Sequence, residues 1–263
     1  MSSRVTDRAG IAGDRRIVVK VGSSSISGPN VGQIAPLVDA LAAAHANGSQ
    51  VILVSSGAIA TGIPYLKLDT RPTDLATQQA AAAVGQNVLI YRYQESLDRY
   101  QIVAGQILLT AGDMENATHR SNAQRAMERL LGLRILPIVN ENDTVATQEI
   151  RFGDNDRLAA MVSQLIGADL LVLLSDVDAL YTRPPGTPGA RPIAHVPADD
   201  DLAGVELGAI GPAGVGTGGA GTKIAAAKLA AASGTAVLLA STAQVAAALS
   251  GEVVGTWFEP AAS

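Results

Sequence analysis

The sequence contains no cysteine, and this absence excludes disulfide bonds and thiolate chemistry. Its three histidines, His45, His119 and His195, are scattered along the chain, so a zinc site is not expected. Aromatic residues make up only 3% of the chain. The core must therefore be built from Ala, Val, Ile and Leu, a composition that suits helices packed against a buried parallel sheet.

Basic charge is also scarce, because 19 Lys and Arg residues stand against 24 Asp and Glu residues, for a net charge of −5. This balance gives no basic surface of the kind that nucleic acids require. Residues 1–14 are polar and lack the apolar segment of a signal peptide. No apolar run approaches the roughly 18 residues that span a bilayer. We therefore expect a cytoplasmic protein with no nucleic-acid or membrane partner.

The remaining composition predicts a large α/β domain, since 48% of the 263 residues are hydrophobic. Predicted strands alternate with predicted helices almost throughout, and most strands are continuous apolar runs, such as residues 51–54 and 170–174. This pattern favours a mostly parallel sheet with helices on both faces. Ligands of such sheets bind beyond the carboxyl ends of the strands. The best internal boundary lies near Gly167.

Four further segments carry specific expectations. Residues 74–100 read as one or two helices, residues 140–153 as a polar loop, and residues 211–221 as a glycine-rich loop before a helix. Residues 253–258 read as a closing strand. The glycine-rich loop is not a Walker A loop, because the pattern G-x-x-x-x-G-K-[ST] does not occur in the chain.

Lysine is rare, with four residues against fifteen arginines, and two of the four lie beside glycine-rich turns. Lys20 ends the first predicted strand, and Lys223 follows the loop at the start of a helix. A lysine ammonium beside exposed backbone N–H groups suits phosphate oxygens. For Lys20 alone, an ordinary surface position explains the pattern equally well. For Lys223, a cation at a helix N-terminus opposes the helix dipole, so an anion is expected there.

Several polar segments follow predicted strands and offer further candidates. Ser23-Ser24-Ser25 and Ser55-Ser56-Gly57 could line a pocket, although turns and helix caps use serine equally often. Ser175-Asp176 could contact a nucleotide or simply end a strand. Asn140-Glu141-Asn142-Asp143-Thr144 and Gly153-Asp154-Asn155-Asp156 are the densest polar clusters, and capping alone does not require two of them.

One absence bears on the acceptor of a phosphoryl group. No strand-end motif supplies an obvious general base, which a hydroxyl acceptor usually needs. A carboxylate acceptor needs none, because its reference pKa of about 4 leaves it ionised at neutral pH. Catalysis would then rest on positioning and on cations that neutralise phosphoryl charge.

Eight stretches, in order along nearly the whole chain, resemble the amino acid kinase family and in particular its glutamate-phosphorylating branch. They are VVKVGSSSIS (18–27), VSSGAIATG (54–62), AAVGQ (82–86), GQILLT (105–110), PIVNENDTVA (137–146), FGDNDRLAAMVS (152–163), LLSDVDALYT (173–182) and GTGGAGTKIAAAKLA (216–230). The fifth and sixth stretches select this branch over the others.

The resemblance implies a three-layer α/β/α sandwich around a mainly parallel sheet of about eight strands. It implies ATP-dependent phosphorylation of the γ-carboxylate of L-glutamate, the first step of proline biosynthesis, with Mg²⁺ bridging the phosphates. Lys20 and Lys223 would stabilise the transferring phosphoryl group, and Asp156 would orient both lysines. No residue is assigned to a metal.

The same resemblance implies two sets of binding residues. Glutamate would be held by Ser56, Gly57, Asp143 and Asn155. ATP would be held by Lys20, Gly22, Ser175, Asp176, Thr217, Gly218, Gly219, Ala220, Gly221, Thr222 and Lys223. Residues 14–167 would form the glutamate-binding half of the domain and residues 168–259 the ATP-binding half.

Family members are often inhibited by proline and assemble as dimers or tetramers, and many continue into a C-terminal PUA domain that is not expected here. Two alternatives remain open. One is another kinase of the family, acting on acetylglutamate, aspartate, carbamate or a nucleoside monophosphate. The other is a nucleotide-binding protein of the same fold without catalytic activity.

Overall fold

A sheet of eight strands forms the centre of the computed structural model, which describes residues 5–146, 155–206 and 219–262. Two further strands form a small hairpin. In chain order the strands are β1 Arg16–Val21, β2 Gln50–Ser55, β3 Ala104–Leu109, β4 Leu136–Glu141, β5 Leu170–Ser175, β6 Leu180–Tyr181, β7 Pro192–Ile193, β8 His195–Val196, β9 Ala236–Ser241 and β10 Thr256–Phe258.

Eight α-helices accompany these strands in the described ranges, together with short 3₁₀ turns. They are α1 Ile34–Ala46, α2 Ala58–Gly62, α3 Leu75–Asp98, α4 Ala111–Glu115, α5 Ala117–Gly132, α6 Asn155–Leu165, α7 Ala220–Ala232 and α8 Val245–Ser250. No described helix combines the length and the apolar character that crossing a lipid bilayer requires.

The large sheet has the strand order β3-β4-β2-β1-β5-β9-β10-β8. The first six of these strands are parallel, whereas β10 pairs antiparallel with β9 and parallel with β8. The chain leaves β1 first toward β2 and later returns to its other side as β5. The carboxyl end of β1 therefore lies at the point where the strand order reverses, which is where ligands bind in open α/β sheets.

The prediction of a three-layer sandwich is confirmed, because separate helices cover each face of the sheet. On one face, Ile17 and Val19 of β1 pack with the buried side chains of α1, α3 and α8. On the other face, Val18 packs with those of α5, α6 and α7. Side chains alternate along a strand, so Lys20 faces the same side as Val18 and is directed toward the layer of α6 and α7.

Several boundaries differ from the sequence-based expectations. The stretch 74–100 contains one helix, α3 (Leu75–Asp98), whose N-cap Asp74 accepts a hydrogen bond from the Thr77 backbone N–H. The loop predicted to begin at residue 140 begins after Glu141, because Asn140 and Glu141 are the last two residues of β4. The predicted loop at residues 211–221 gives way to α7 already at Ala220, and residues 211–218 lie outside the described residues.

Helices α2 and α3 approach each other through two glycines. A Cβ added to Gly62 would lie 1.9 Å from the Ala81 carbonyl oxygen, and one added to Gly85 would lie 1.8 Å from the Ala58 carbonyl oxygen. Real atoms cannot come so close. Any side chain at either position must therefore push the two helices apart.

We expect Gly85→Ala to destabilise the fold by about 1–3 kcal/mol or more, because the added methyl group overpacks a backbone contact. Gly132→Ala is the matched control, since a Cβ there meets nothing within 4 Å and the residue is also helical. That substitution should raise stability by about 0.5–1 kcal/mol. Urea unfolding of the two variants measures both effects, and equal stabilities would contradict the close approach.

Candidate active site

Functional candidates from separate parts of the chain converge at the carboxyl edge of the sheet. Lys20 lies near the end of β1, Ser55 ends β2, Glu141 ends β4 and Ser175 ends β5. Helix α6 begins at this edge with Asn155. Its neighbours in the structure include β1, β2, β4, β5 and α7. This edge thus brings residues that are far apart in sequence into one region of the structure.

The centre of the site is a buried carboxylate between two ammonium groups. Asp156 Oδ1 lies 2.5 Å from Lys20 Nζ, and Asp156 Oδ2 lies 2.8 Å from Lys223 Nζ. Asp156 is 0% exposed, Lys20 3% and Lys223 8%. Three elements supply these side chains: β1, the first turn of α6 and the first turn of α7.

The two lysines control the ionisation of Asp156. Burial by itself would raise the pKa of this carboxyl group, but the charges of Lys20 and Lys223 and their hydrogen bonds outweigh burial, so its pKa is lowered. Asp156 is therefore ionised at neutral pH. The Asp156 carboxylate thus lies between two ammonium groups that are almost closed off from water. Buried charges are costly unless they are paired, and phosphate oxygens would offer the two lysines further negative charge.

The N-terminus of α7 adds to this positive field. Its N-cap is Gly219, and the Thr222 hydroxyl donates a hydrogen bond to the Gly219 carbonyl oxygen over 2.9 Å. The Thr222 hydroxyl also lies 3.3 Å from Asp156 Oδ2. Backbone N–H groups and the helix dipole make such a terminus an anion site. The structure places the predicted nucleotide residues Gly219, Ala220, Gly221, Thr222 and Lys223 at this terminus. Thr217 and Gly218 lie outside the described residues.

Asp176 connects the turn after β1 with the turn after β5. Its two carboxylate oxygens each accept a hydrogen bond over 2.8 Å, one from the Ser24 hydroxyl and one from the Ser25 hydroxyl. Gly22 lies beside the same turn, since a Cβ added there would be 3.9 Å from both Lys20 Nζ and Ser24 Oγ. Of the predicted nucleotide residues, Gly22 therefore lies close to Lys20 of the ion cluster, and Asp176 contacts the turn after β1.

The turn after β2 lies against the turn after β1. The Ser56 backbone N–H donates a hydrogen bond to the Val21 carbonyl oxygen over 3.2 Å. Gly57 has a φ of 101°, a conformation that favours glycine, and a Cβ there would meet Ser23 Cβ at 3.5 Å. Ser56 and Gly57 are thus placed next to the end of β1.

Asn155 belongs to a buried network of amide groups. Its Nδ2 donates hydrogen bonds to the Ser55 carbonyl oxygen over 2.8 Å and to Asn140 Oδ1 over 2.7 Å. Asn140 Nδ2 donates in turn to Gln86 Oε1 over 2.7 Å. Asp143 follows in the turn after β4, where the Val145 and Ala146 backbone N–H groups donate to the Asn142 carbonyl oxygen.

The assignment of site residues from the sequence did not include Gln86, Ser24, Ser25 or Asn140 as individual binding residues. Ser24, Ser25 and Asn140 lie in polar segments that the sequence analysis singled out, and Gln86 lies in the stretch AAVGQ. A signal for Gln86 and Asn140 was therefore present. It could not be interpreted further, because their contact joins positions 54 residues apart.

A metal ion would find few protein ligands here. Within residues 5–146, 155–206 and 219–262, no three His, Asp or Glu side chains gather closely enough to hold one. Mg²⁺ commonly binds through one or two carboxylates together with substrate phosphates and water.

The model of the amino acid kinase family matches residues 15–241, which include all three members of the ion cluster. The chain belongs to the amino acid kinase family. The cluster of Lys20, Asp156 and Lys223 is thus a feature of this amino acid kinase, built by the segment that the family model covers.

Relatives of this amino acid kinase include the "Glutamate 5-kinase" of Clavibacter sepedonicus, 76% identical over 96% of this chain and 97% of the relative. The "Glutamate 5-kinase" of Leifsonia xyli subsp. xyli is 75% identical over 98% of this chain and 95% of its own length. Among solved structures, the Giardia lamblia carbamate kinase bound to AMP-PNP aligns over 95% of this chain and 100% of its own, with a TM-score of 0.67. At 15% identity, that likeness shows the fold alone.

We expect Asp156→Asn to lower the free energy of unfolding at pH 7 by about 3–5 kcal/mol, because it leaves two buried ammonium groups without their counter-charge. The pKa of Asp156 is lowered in the folded state. Its contribution is therefore complete above the unfolded pKa of about 3.9 and is lost as pH falls through the folded value. Urea unfolding from pH 7 to pH 3 should show the wild type converging on the variant.

Asp39→Asn provides the control for this measurement. Asp39 pairs with Arg99 at the surface, where both side chains are about half exposed. Its loss should hardly change stability at any pH, because exposed ion pairs contribute little. A gap between wild type and Asp156→Asn that stays constant down to pH 3 would contradict the ion cluster.

Proposed function

We propose that this chain transfers the γ-phosphoryl group of ATP to the γ-carboxylate of L-glutamate and so forms γ-glutamyl phosphate and ADP. The observation that carries the proposal is the buried Lys20–Asp156–Lys223 cluster at the carboxyl edge of the sheet. The two relatives named above, both glutamate 5-kinases at 75% identity or more, support glutamate as the acceptor. The reaction is the first step of proline biosynthesis.

The ion cluster suits phosphoryl transfer because charge accumulates on the phosphoryl oxygens and on the leaving ADP. Lys20 and Lys223 are fixed through one carboxylate, so their ammonium groups are already oriented before the nucleotide binds. Cations held in place in a region of low dielectric stabilise such charge strongly and need no rearrangement during the reaction. We assign charge stabilisation to the two lysines and their orientation to Asp156.

The acceptor requires no proton transfer. A γ-carboxylate oxygen of glutamate forms the new bond to the γ-phosphorus, and the bond from that phosphorus to the β–γ bridging oxygen breaks, with its electron pair leaving on ADP. The carboxylate is ionised at neutral pH, so a general base is unnecessary. The protein then needs to align the two substrates and to neutralise charge.

We assign the nucleotide to the α7 side of the cluster. Gly22, Ser175, Asp176 and residues 217–223 would surround its phosphates, with support from the anion site at the N-terminus of α7. Mg²⁺ would supply positive charge between the phosphate oxygens when bound. Asp176 supplies the carboxylate of this group. The hydroxyl groups of Ser24 and Ser25, in the turn after β1, donate to it and orient it.

We assign glutamate to the side of β2 and β4. Ser56, Gly57, Asp143 and Asn155 would hold it, because carboxylate and amide oxygens accept hydrogen bonds from an ammonium group. Residues 14–167 would then form the glutamate-binding half and residues 168–259 the ATP-binding half. Inhibition by proline, assembly as a dimer or tetramer and a cytoplasmic location are further proposals that rest on the family resemblance.

The test of this function is ADP release with ATP and Mg²⁺ across a panel of glutamate, N-acetylglutamate, aspartate, carbamate and nucleoside monophosphates. Release that depends on glutamate, together with a hydroxamate trapped by hydroxylamine, supports the proposal. Preference for another acceptor would make the chain a different kinase of the family. Nucleotide binding without turnover of any acceptor would make it a non-catalytic binder.

We expect Lys223→Ala to lower kcat by about 10²–10³-fold, because one fixed cation at the transferring phosphoryl group is lost. Lys228→Ala is the matched control, since Lys228 lies on the same helix and its Nζ donates to the Asp201 carbonyl oxygen away from the cluster. Steady-state kinetics at saturating glutamate and ATP compare the two variants. A similar kcat for both would refute the assignment of Lys223.

A further inference from the structure

The buried amide network has a hydrogen-bond polarity that backbone groups determine. The Ser55 carbonyl oxygen can only accept, so the contacting atom of Asn155 is Nδ2. The Glu141 backbone N–H can only donate, and it lies 2.8 Å from the side chain of Asn140, so that atom is Oδ1. Asn140 must then present Nδ2 to Gln86, which accepts through Oε1.

This network joins all three layers of the fold. Gln86 is on α3, which covers one face of the sheet, Asn140 is near the end of β4, and Asn155 begins α6 on the other face. The three side chains are 8%, 2% and 6% exposed. Water is thus largely excluded, and a missing partner in such a network costs more than it would at the surface.

The close contact of α3 with α2 determines where Gln86 lies. Gly85 packs directly against the Ala58 carbonyl oxygen, and Gln86 is the next residue. Two turns further along the same face, the Tyr93 hydroxyl lies 2.8 Å from Ser55 Oγ. Helix α3 therefore places two polar side chains against the ends of β4 and β2.

The network also decides which atom Asn155 offers to a substrate. Both Nδ2 hydrogens are directed to protein acceptors, Ser55 O and Asn140 Oδ1. The remaining polar atom of this side chain is Oδ1, which is an acceptor. An acceptor matches the ammonium group of an amino acid, whereas a reversed amide would present N–H groups and repel it.

We propose that Gln86 is a positioning residue for the amino-acid substrate, acting through Asn140 on the orientation of Asn155. This inference rests on the proposed function, since it assumes that Asn155 binds glutamate. Gln86 touches neither substrate. Its Oε1 accepts from Asn140 Nδ2, while the Glu141 backbone N–H donates to Asn140 Oδ1. The two contacts together hold the Asn140 side chain where its Oδ1 meets Asn155 Nδ2.

The test compares Gln86→Met with Gln86→Glu. Methionine keeps the approximate volume and removes the acceptor, so Asn140 Nδ2 loses its contact with Gln86, and the position of Asn140 against Asn155 is held less firmly. We expect KM for glutamate to rise about tenfold or more, while kcat and KM for ATP change by less than about threefold, because contacts to the ammonium group are equally strong in ground state and transition state. Calorimetric titration with glutamate should show the same loss of affinity.

Gln86→Glu separates positioning from stability. The carboxyl group still accepts from Asn140 Nδ2, so KM for glutamate should stay much nearer the wild-type value. Its burial should nevertheless lower the melting temperature, because an ionisable group replaces an amide. If KM for glutamate rises in both variants in proportion to the fall in their melting temperatures, Gln86 has only a structural role and the inference fails.

Gln94→Met is the control on the same helix. Gln94 accepts from the Ala104 backbone N–H and donates to the Ile102 carbonyl oxygen, on the side of β3. The substitution Gln94→Met should lower the stability of the fold without changing KM for glutamate. The wild-type protein in the same assays distinguishes the two proposals. If the wild type neither binds nor phosphorylates glutamate, the proposed function and this inference both fail. If the wild type phosphorylates glutamate and Gln86→Met has the same KM for glutamate, this inference alone fails.

Discussion

The structure of the site depends on one electrostatic constraint, the burial of a single carboxylate between two ammonium groups. Asp156 is shared between Lys20 and Lys223, and the N-terminus of α7 adds further positive potential. A protein selected only for stability gains little from this arrangement, because burying ions is costly and an apolar replacement is often as stable. Phosphate oxygens would add negative charge beside the two ammonium groups, so the arrangement suits an anion better than it suits stability alone. Stability and phosphate binding are therefore opposed at this point of the fold.

The fold satisfies this constraint through the direction of each element. Alternation along β1 turns Lys20 toward the layer of α6 and α7, while its neighbours Val19 and Val21 pack on the opposite face. Parallel strands bring their carboxyl ends to one edge, and both helices begin there. Three residues that lie more than 60 positions apart in sequence thus meet without an unusual backbone conformation. The antiparallel strand β10 supplies none of these three side chains.

The sequence predicts the layers well and the contacts between layers poorly. Lys223 could be identified as a candidate because lysine is rare and a cation at a helix N-terminus calls for an anion, whereas for Lys20 the pattern fitted an ordinary surface position equally well. Asp156 could be assigned only by resemblance, since an acidic residue at a helix start is equally typical of a cap. Gln86 could not be assigned, because its role depends on how α3 is rotated and on how closely Gly85 approaches α2. Local patterns do not contain that information.

The first turn of α6 links the buried amide network with the ion cluster. Asn155 reaches the ends of β2 and β4, while the next residue, Asp156, reaches β1 and α7. Consecutive residues point in different directions around a helix, so one turn serves both networks. Because consecutive Cα atoms stay about 3.8 Å apart, a displacement of this turn moves both side chains together. A displacement of the backbone of this turn would therefore act on both networks, whereas a rotation of the Asn155 amide about its own side-chain torsions leaves the backbone and Asp156 in place.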